Sequence, residues 1–193
     1  LGAGRPGWHI ECAAIALKFA DHSGNTIIDI QGGGSDLIFP HHEMSASQVR
    51  VLTGKEFALA YVHAGLIGLD GEKMSKSKGN LIFVSKLIAD GVDPMVIRWA
   101  LLKRHYREDY MWLRSEIALA KSELDTLRQA LSKRSVPPTQ GLIAEIYQSL
   151  ANDLNSPQAI ASINSWVKSV GSGGDINELR VALDSLLGIV LSS

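Results

Sequence analysis

Stretches of apolar and polar residues predict that helices and strands succeed one another in the first half of the chain. Residues 8–20 carry apolar side chains three or four positions apart, which predicts an amphipathic helix. The β-branched run 26–30 predicts a buried strand, residues 40–52 predict a second helix, and 61–62 and 66–67 predict strand pieces. A glycine triplet directly follows the first strand. This order is typical of an α/β fold with a doubly wound parallel sheet.

The pattern becomes helical after residue 80. An Asp-Pro dipeptide at 93–94 provides an N-cap and a first-turn proline for one helix, and residues 115–134 form a long amphipathic stretch. Two prolines in the segment 136–139 predict a stiff linker, and two or three more helices follow it. We therefore expect an α/β domain in residues 1–112 and an all-α helical bundle in residues 113–193.

Composition and charge exclude several classes of protein. The chain has 193 residues, a net charge of −1 and 46% apolar residues, as in ordinary globular domains. No uninterrupted apolar run exceeds six residues, so we expect no membrane span, and no signal peptide is visible. The near-neutral charge argues against a dedicated nucleic-acid binder. Cys12 is the only cysteine, which excludes an intramolecular disulfide and favours the cytoplasm.

The sharpest local motif is a pair of lysines in a short glycine-bounded segment. Lys73 and Lys76 are three residues apart, with Gly71 before them and Gly79 after them. Two such side chains can converge on one polyanion and neutralise the charge that develops on a departing pyrophosphate. The alternative interpretation is a solvated basic loop.

Two further groups of residues have the chemistry of a binding site. Cys12 and His41 are of the types that bind zinc, although two ligands do not complete a site and a lone cysteine is usually buried as a small apolar residue. His42 is interpreted as a helix-start histidine that pairs with Glu43. The glycine triplet at 32–34 lets the backbone approach a ligand closely, although flexible turns have the same composition.

Three motifs in a fixed order resemble one known family. GRPGWHIEC at 4–12, DIQGGGSDLIFPHHE at 29–43 and GEKMSKSKGN at 71–80 resemble class I cysteinyl-tRNA synthetases and a related mycothiol-pathway ligase, which joins cysteine to the amine of glucosaminyl-inositol. Two departures favour the ligase. The synthetases have histidine where this chain has Gln31, and a fourth zinc-binding glutamate where it has Ser45.

The C-terminal part also favours the ligase. Segments 151–166 and 182–191 resemble its terminal helices. From residue 117 onward, basic and acidic residues are nearly balanced, so the segment offers no obvious attraction for tRNA. The charged residues are Lys121, Arg128, Lys133, Arg134, Lys168 and Arg180 against Glu123, Asp125, Glu145, Asp153, Asp175, Glu178 and Asp184. A cysteinyl-tRNA synthetase is the first alternative, and a non-catalytic paralogue that binds zinc or adenylate is the second.

The resemblance implies a fold, a reaction and a set of site residues. The fold is the C-terminal half of a class I synthetase-type Rossmann domain followed by a helical bundle. The enzyme is an acid–amine ligase that forms cysteinyl-adenylate from ATP and passes cysteine to glucosaminyl-inositol, with Lys73 and Lys76 as catalytic residues. The residues implied to contact ATP or the adenylate are Trp8, Gly34, Ser35, Asp36, Ile67, Lys73, Met74, Ser75, Lys76 and Ser77.

The resemblance also implies cofactors and partners. Cys12 and His41 are expected to bind one Zn²⁺ whose open position selects the thiol of L-cysteine, and Mg²⁺ is expected with ATP. The partners are small-molecule substrates, without tRNA or membrane, and the protein is expected to be a monomer. The chain begins without methionine. We expect the ATP-binding HIGH-type motif and a third zinc ligand in a missing N-terminal part, which leaves this piece inactive by itself.

Overall fold

A computed structural model describes residues 2–5, 7–20, 23–75 and 77–191 of the chain. Contacts divide the chain into two units, the first formed by residues 1–66 with Arg107–Tyr110 and the second by Ile67–Tyr106 with Met111–Ser193. The predicted division into an α/β domain and a helical bundle after residue 112 stays a prediction. In the described stretches, no helix is long and apolar enough to cross a membrane.

The first unit is a β-α-β arrangement with one additional helix. Helix α1 (Trp8–Phe19) precedes strand β1 (Thr26–Gly34), and helix α2 (Glu43–Thr53) connects β1 to strand β2 (Glu56–Ala64). The two strands pair in parallel, as the pattern of strand, glycine turn and helix predicts. Their carboxyl ends therefore lie side by side at the same edge of the sheet.

One buried side chain from each of these four elements forms the core of the first unit. They are Ala13 from α1, Ile27 from β1, Val49 from α2 and Phe57 from β2. This core fixes the two helices against the strands. The first turn of α1 and the start of α2 are consequently held near the glycine-rich end of β1.

The predicted start of the second helix near residue 40 agrees with the structure, because Pro40, His41 and His42 have helical backbone angles and lead into α2. Phe39 has extended backbone angles (φ −135°, ψ 137°) because proline disfavours a helical conformation in the residue before it. A single 3₁₀ turn at Ser35–Leu37 comes first, and a wider helical segment at Ile38–His42 leads into Glu43. His41 and His42 lie in this segment, and both are buried.

The second unit begins with a small antiparallel hairpin. Strands β3 (Ile67–Leu69) and β4 (Glu72–Lys73) are joined by a two-residue turn, and strand β5 (Tyr110–Trp112) lies on the other side of β3. Asp70 and Gly71 both have positive φ, 53° and 85°. The predicted Asp-Gly turn is confirmed, because only residues that tolerate positive φ fit this tight hairpin.

Six helices lie in the described part of the second unit. They are α3 (Val84–Ala89), α4 (Pro94–Leu102), α5 (Glu116–Leu131), α6 (Gln140–Ala151), α7 (Ser156–Lys168) and α8 (Ile176–Leu187). The predicted cap of α4 is confirmed, since the Asp93 side chain accepts a hydrogen bond from the Met95 N–H. Trp99 of α4 is fully buried, and its indole N–H donates to Glu123 of α5 at 2.8 Å.

Candidate functional site

The first turn of α1 packs against His41. The ring of Trp8 lies 4.3 Å from the ring of His41, measured between centroids, and the Nδ1 atoms of His9 and His41 are 3.2 Å apart. Trp8 remains 59% exposed, whereas His41 is only 6% exposed. Trp8 thus both packs against a buried histidine and offers an open aromatic surface to a ligand.

Cys12 is on the side of α1 that faces this histidine. It follows Trp8 by four residues and His9 by three, and residues at these spacings share one helix face. Its thiol is partly buried. In the described ranges, no group of three or more His, Cys, Asp and Glu side chains is arranged to hold a metal ion. The zinc site of Cys12 and His41 therefore stays a prediction.

Ser45 stands where the synthetases have a fourth zinc-binding residue. Its side chain is completely enclosed, with 1% exposure, and its hydroxyl donates to the His41 carbonyl at 2.8 Å, one helical turn earlier. This local bond satisfies the donor of a buried hydroxyl. Ser45 is thereby accommodated in the interior beside His41 without another side-chain partner being required.

His42 pairs with a residue that the sequence analysis did not single out. Its Nδ1 lies 2.8 Å from Nε2 of His63 in β2, so the expected pairing with Glu43 is not the contact observed. Burial lowers the pKa of His42, and the charges that His63 and His41 would carry lower it further. Both effects favour the neutral form of His42.

The register of the sheet explains this histidine pair. His63 lies opposite Gly33 in the parallel ladder. A Cβ atom on Gly33 would come within 2.9 Å of Cε1 of His42, so only glycine leaves room for the imidazole ring. His63 could have been identified as a site residue from its position near the carboxyl end of a predicted strand, because parallel strands bring this end beside the glycine triplet.

The glycine-rich end of β1 brings together three of the predicted adenylate-binding residues. Gly34 is the last residue of β1, and Ser35 and Asp36 begin the following 3₁₀ turn. An atom added to Gly34 would lie 2.6 Å from Oδ1 of Asp36, so this carboxylate folds back over the strand end. Asp36 is exposed, as expected for a carboxylate that accepts hydrogen bonds from ribose hydroxyls.

The second unit carries the remaining predicted residues. Ile67 opens β3, Lys73 ends β4, and Met74, Ser75 and Ser77 follow in the loop after the hairpin. Lys73 and Ser77 are exposed, whereas Met74 and Ser75 are partly buried. Lys76 lies outside the described residues. The hairpin thus presents the Lys73 side chain at the base of a surface loop.

Comparisons with known proteins agree with the motifs. Residues 1–122 match the family described as tRNA synthetases class I (C) catalytic domain. Among curated proteins, the chain is 54% identical over 197 residues to the L-cysteine:1D-myo-inositol 2-amino-2-deoxy-alpha-D-glucopyranoside ligase of Streptomyces coelicolor. It is 52% identical over 200 residues to the protein of that name from Saccharomonospora viridis. Each alignment covers 99% of this chain and 47% of the relative, so the chain spans about half the length of these relatives.

Solved structures of synthetases share the fold. A leucyl enzyme, LeuRS of Agrobacterium radiobacter in a ternary complex with tRNA and LeuAMS, superposes with a TM-score of 0.60 at 19% identity, covering 83% of this chain and 26% of its own. The methionyl-tRNA synthetase of Mycobacterium tuberculosis, bound by methionyl-adenylate, superposes with a TM-score of 0.54 at 16% identity, covering 83% and 42%. These likenesses confirm the α/β synthetase-type fold with added helices. The chain belongs to the family of class I (C) tRNA synthetase catalytic domains.

Proposed function

We propose that this chain is part of an ATP-dependent ligase that activates L-cysteine as cysteinyl-adenylate and transfers it to the amine of glucosaminyl-inositol. The observation that carries the proposal is the identity of 54% across 99% of the chain to a relative named as the cysteine ligase of this amino sugar. The family match supports adenylate formation in particular. Because relatives are about twice as long, the reaction belongs to the complete protein.

The first step joins cysteine to the α-phosphorus of ATP. A carboxylate oxygen of cysteine attacks this phosphorus, the bond to the bridging oxygen breaks, and pyrophosphate leaves with the electron pair. We assign Lys73 and Lys76 to stabilise the negative charge on the leaving group, which increases in the transition state. Mg²⁺ is expected to enter with ATP and to bind through phosphate oxygens.

The residues at the end of β1 suit the nucleoside part of the adenylate. The Asp36 carboxylate folds over Gly34 at the carboxyl edge of the parallel pair, where ligands bind in open α/β sheets. Trp8 offers an exposed aromatic face. We propose Trp8, Gly34, Ser35 and Asp36 as adenylate contacts on the strength of this geometry. Ile67, Met74, Ser75 and Ser77 are proposed as further contacts from the resemblance of their motif alone.

Cys12 and His41 suit a zinc ion that recognises the thiol of cysteine. The donor set is a thiol and an imidazole, and residues one helical turn before Cys12 contact the His41 ring. These are the ligands that zinc prefers in proteins, although a complete site needs at least one more. When bound, zinc supplies an open coordination position that prefers a thiolate to the hydroxyl of serine. The Ser45 hydroxyl donates to the His41 carbonyl and is not needed as a ligand in this proposal.

The second step forms an amide. The amine of the sugar attacks the activated carbonyl carbon, the bond to the phosphate oxygen breaks, AMP leaves, and the amine loses a proton. We propose that the protein acts on small molecules as a cytoplasmic monomer without tRNA. The balance of acidic and basic residues after residue 117 supports the absence of tRNA.

Cysteine-dependent exchange of labelled pyrophosphate into ATP tests the first step. The protein expressed from its complete gene should catalyse this exchange with L-cysteine and only weakly with L-serine. Absence of exchange with cysteine, in a protein whose circular dichroism shows that it is folded, would contradict the proposed function. Exchange with cysteine followed by charging of tRNA would favour the synthetase alternative.

A further inference from the structure

The loop of residues 73–80, called the lysine loop below, is closed by the side chain of Asn80. This side chain bridges two backbone groups near the start of the loop. Its Oδ1 accepts a hydrogen bond from the Ser75 N–H at 2.8 Å, and its Nδ2 donates to the Lys73 carbonyl at 3.3 Å. One carboxamide therefore holds the chain immediately before and after Met74. Asn80 itself is partly buried, and so is its bond to the Ser75 N–H, whereas its bond to the Lys73 carbonyl is exposed.

The other ties across this loop are more exposed. Lys78 forms an ion pair with Glu72 at 2.8 Å, with side-chain exposures of 51% and 60%. The hydroxyls of Ser75 and Ser77 lie 3.2 Å apart at the surface. Exposed ion pairs contribute little to stability because water screens them. The Asn80 bridge therefore adds to the β3–β4 pairing, which holds Lys73 opposite Gly68, and it extends this restraint to Ser75.

Asparagine is suited to this position because its side chain both donates and accepts. Aspartate keeps an acceptor for the Ser75 N–H but has no donor for the Lys73 carbonyl, and alanine has neither. The bridge restrains the backbone of Lys73, whose side chain is assigned to the phosphates of ATP. A change in that backbone moves the whole lysine side chain.

We propose that Asn80 is a positioning residue for the adenylation step, which fixes the backbone from Lys73 to Ser75 so that the Lys73 ammonium is directed at the phosphates of ATP. This inference rests on the proposed function. Asn80 acts through Lys73 and is not itself assigned to touch ATP. The rate of the chemical step, more than the binding of ATP, depends on such preorganisation.

Hydrogen exchange of the Ser75 amide in the chain as it stands tests the structural half of the inference. Asn80→Ala should accelerate this exchange about fivefold, the effect expected for one lost hydrogen bond. Asn80→Asp should leave it slow, because the acceptor remains. Glu72→Gln, the matched control, breaks only the exposed ion pair and should change it less than about twofold. Equal exchange in the alanine variant and the unaltered chain would overturn the inference.

A double-mutant cycle in the protein expressed from its complete gene tests the catalytic half. Asn80→Ala should lower kcat for ATP–pyrophosphate exchange about tenfold or more, with little change in KM for ATP, because positioning matters most in the transition state. In a Lys73→Ala background, the same substitution should cost less than about twofold, since the group it positions is already absent.

The outcomes separate this inference from the proposed function. If the unaltered protein lacks cysteine-dependent exchange, the proposed function fails. If the unaltered protein is active and Asn80→Ala is equally active, only the inference fails. An equal loss from Asn80→Ala in both backgrounds, together with a lower unfolding temperature, would show a general structural role and would also overturn the inference.

Discussion

Replacement of Gly33 by alanine should destabilise the first unit by driving a methyl group into the histidine pair. An ideal Cβ at this position lies 2.9 Å from both Cε1 of His42 and Cδ1 of Leu37, whereas ordinary contacts begin at 3.4 Å. Both neighbours would have to retreat by about half an ångström. His42 is only 3% exposed and is held by His63, so it has little freedom to move.

The expected cost follows from two opposing contributions. Overpacking of a close-packed interior costs about 1–3 kcal/mol, and disturbing the bond from His42 to His63 adds about 1 kcal/mol. Alanine offsets about 0.4–1 kcal/mol of this because it restricts the unfolded chain. The net loss in free energy of unfolding should therefore be about 1–3.5 kcal/mol.

Gly32 provides a matched control within the same triplet. A Cβ there meets nothing closer than the Val62 carbonyl oxygen at 3.9 Å, so Gly32→Ala should be neutral or stabilising by up to about 1 kcal/mol. Native-state hydrogen exchange of the β1 and β2 amides in the purified chain measures both variants. Equal effects of the two substitutions, or a stable Gly33→Ala variant, would refute the steric argument.

Three further predictions concern the lysine loop and the second unit. Lys73→Ala combined with Lys76→Ala should abolish pyrophosphate exchange in the complete protein and leave its thermal unfolding unchanged; retained exchange would exclude their catalytic role. Asp93→Ala should lower the urea midpoint by the equivalent of about 1–2 kcal/mol, because it removes the helix cap to the Met95 N–H. Burial raises the pKa of Asp93, but hydrogen bonds from Arg128 and Met95 outweigh it and hold the pKa below its ordinary value. The ionised Asp93 therefore stabilises the fold at pH values above the ordinary pKa of aspartate. This stabilisation is lost as the pH falls through the lowered pKa of the folded protein. Asp93→Asn should consequently make the stability measured by urea titration less sensitive to acid.

Local sequence rules predicted the elements whose signals are contained in a few neighbouring residues. The Asp93 cap and the turn at Asp70 and Gly71 depend only on adjacent positions, and both were predicted. Strand β5 was not predicted, because three residues pair with a strand more than 40 positions earlier.

In the candidate site, too, short motifs predicted individual residues but not the contacts between residues that are distant in sequence. Motifs identified Trp8 and His41, and the structure brings their rings together. The pairing of His42 with His63 depends on the register of two strands, which no short motif specifies. The role of Asn80 was also missed, because it depends on how the loop folds back and not on residue type alone.

The identity of the acceptor distinguishes the proposed ligase from a tRNA synthetase. The protein expressed from its complete gene would be incubated with ATP, L-cysteine and either glucosaminyl-inositol or tRNA, while AMP and the cysteinyl product are measured. We expect AMP release to depend on the amino sugar and an amide of cysteine to form, with tRNA left uncharged. Cysteinylated tRNA, with the amino sugar unconsumed, would contradict this expectation.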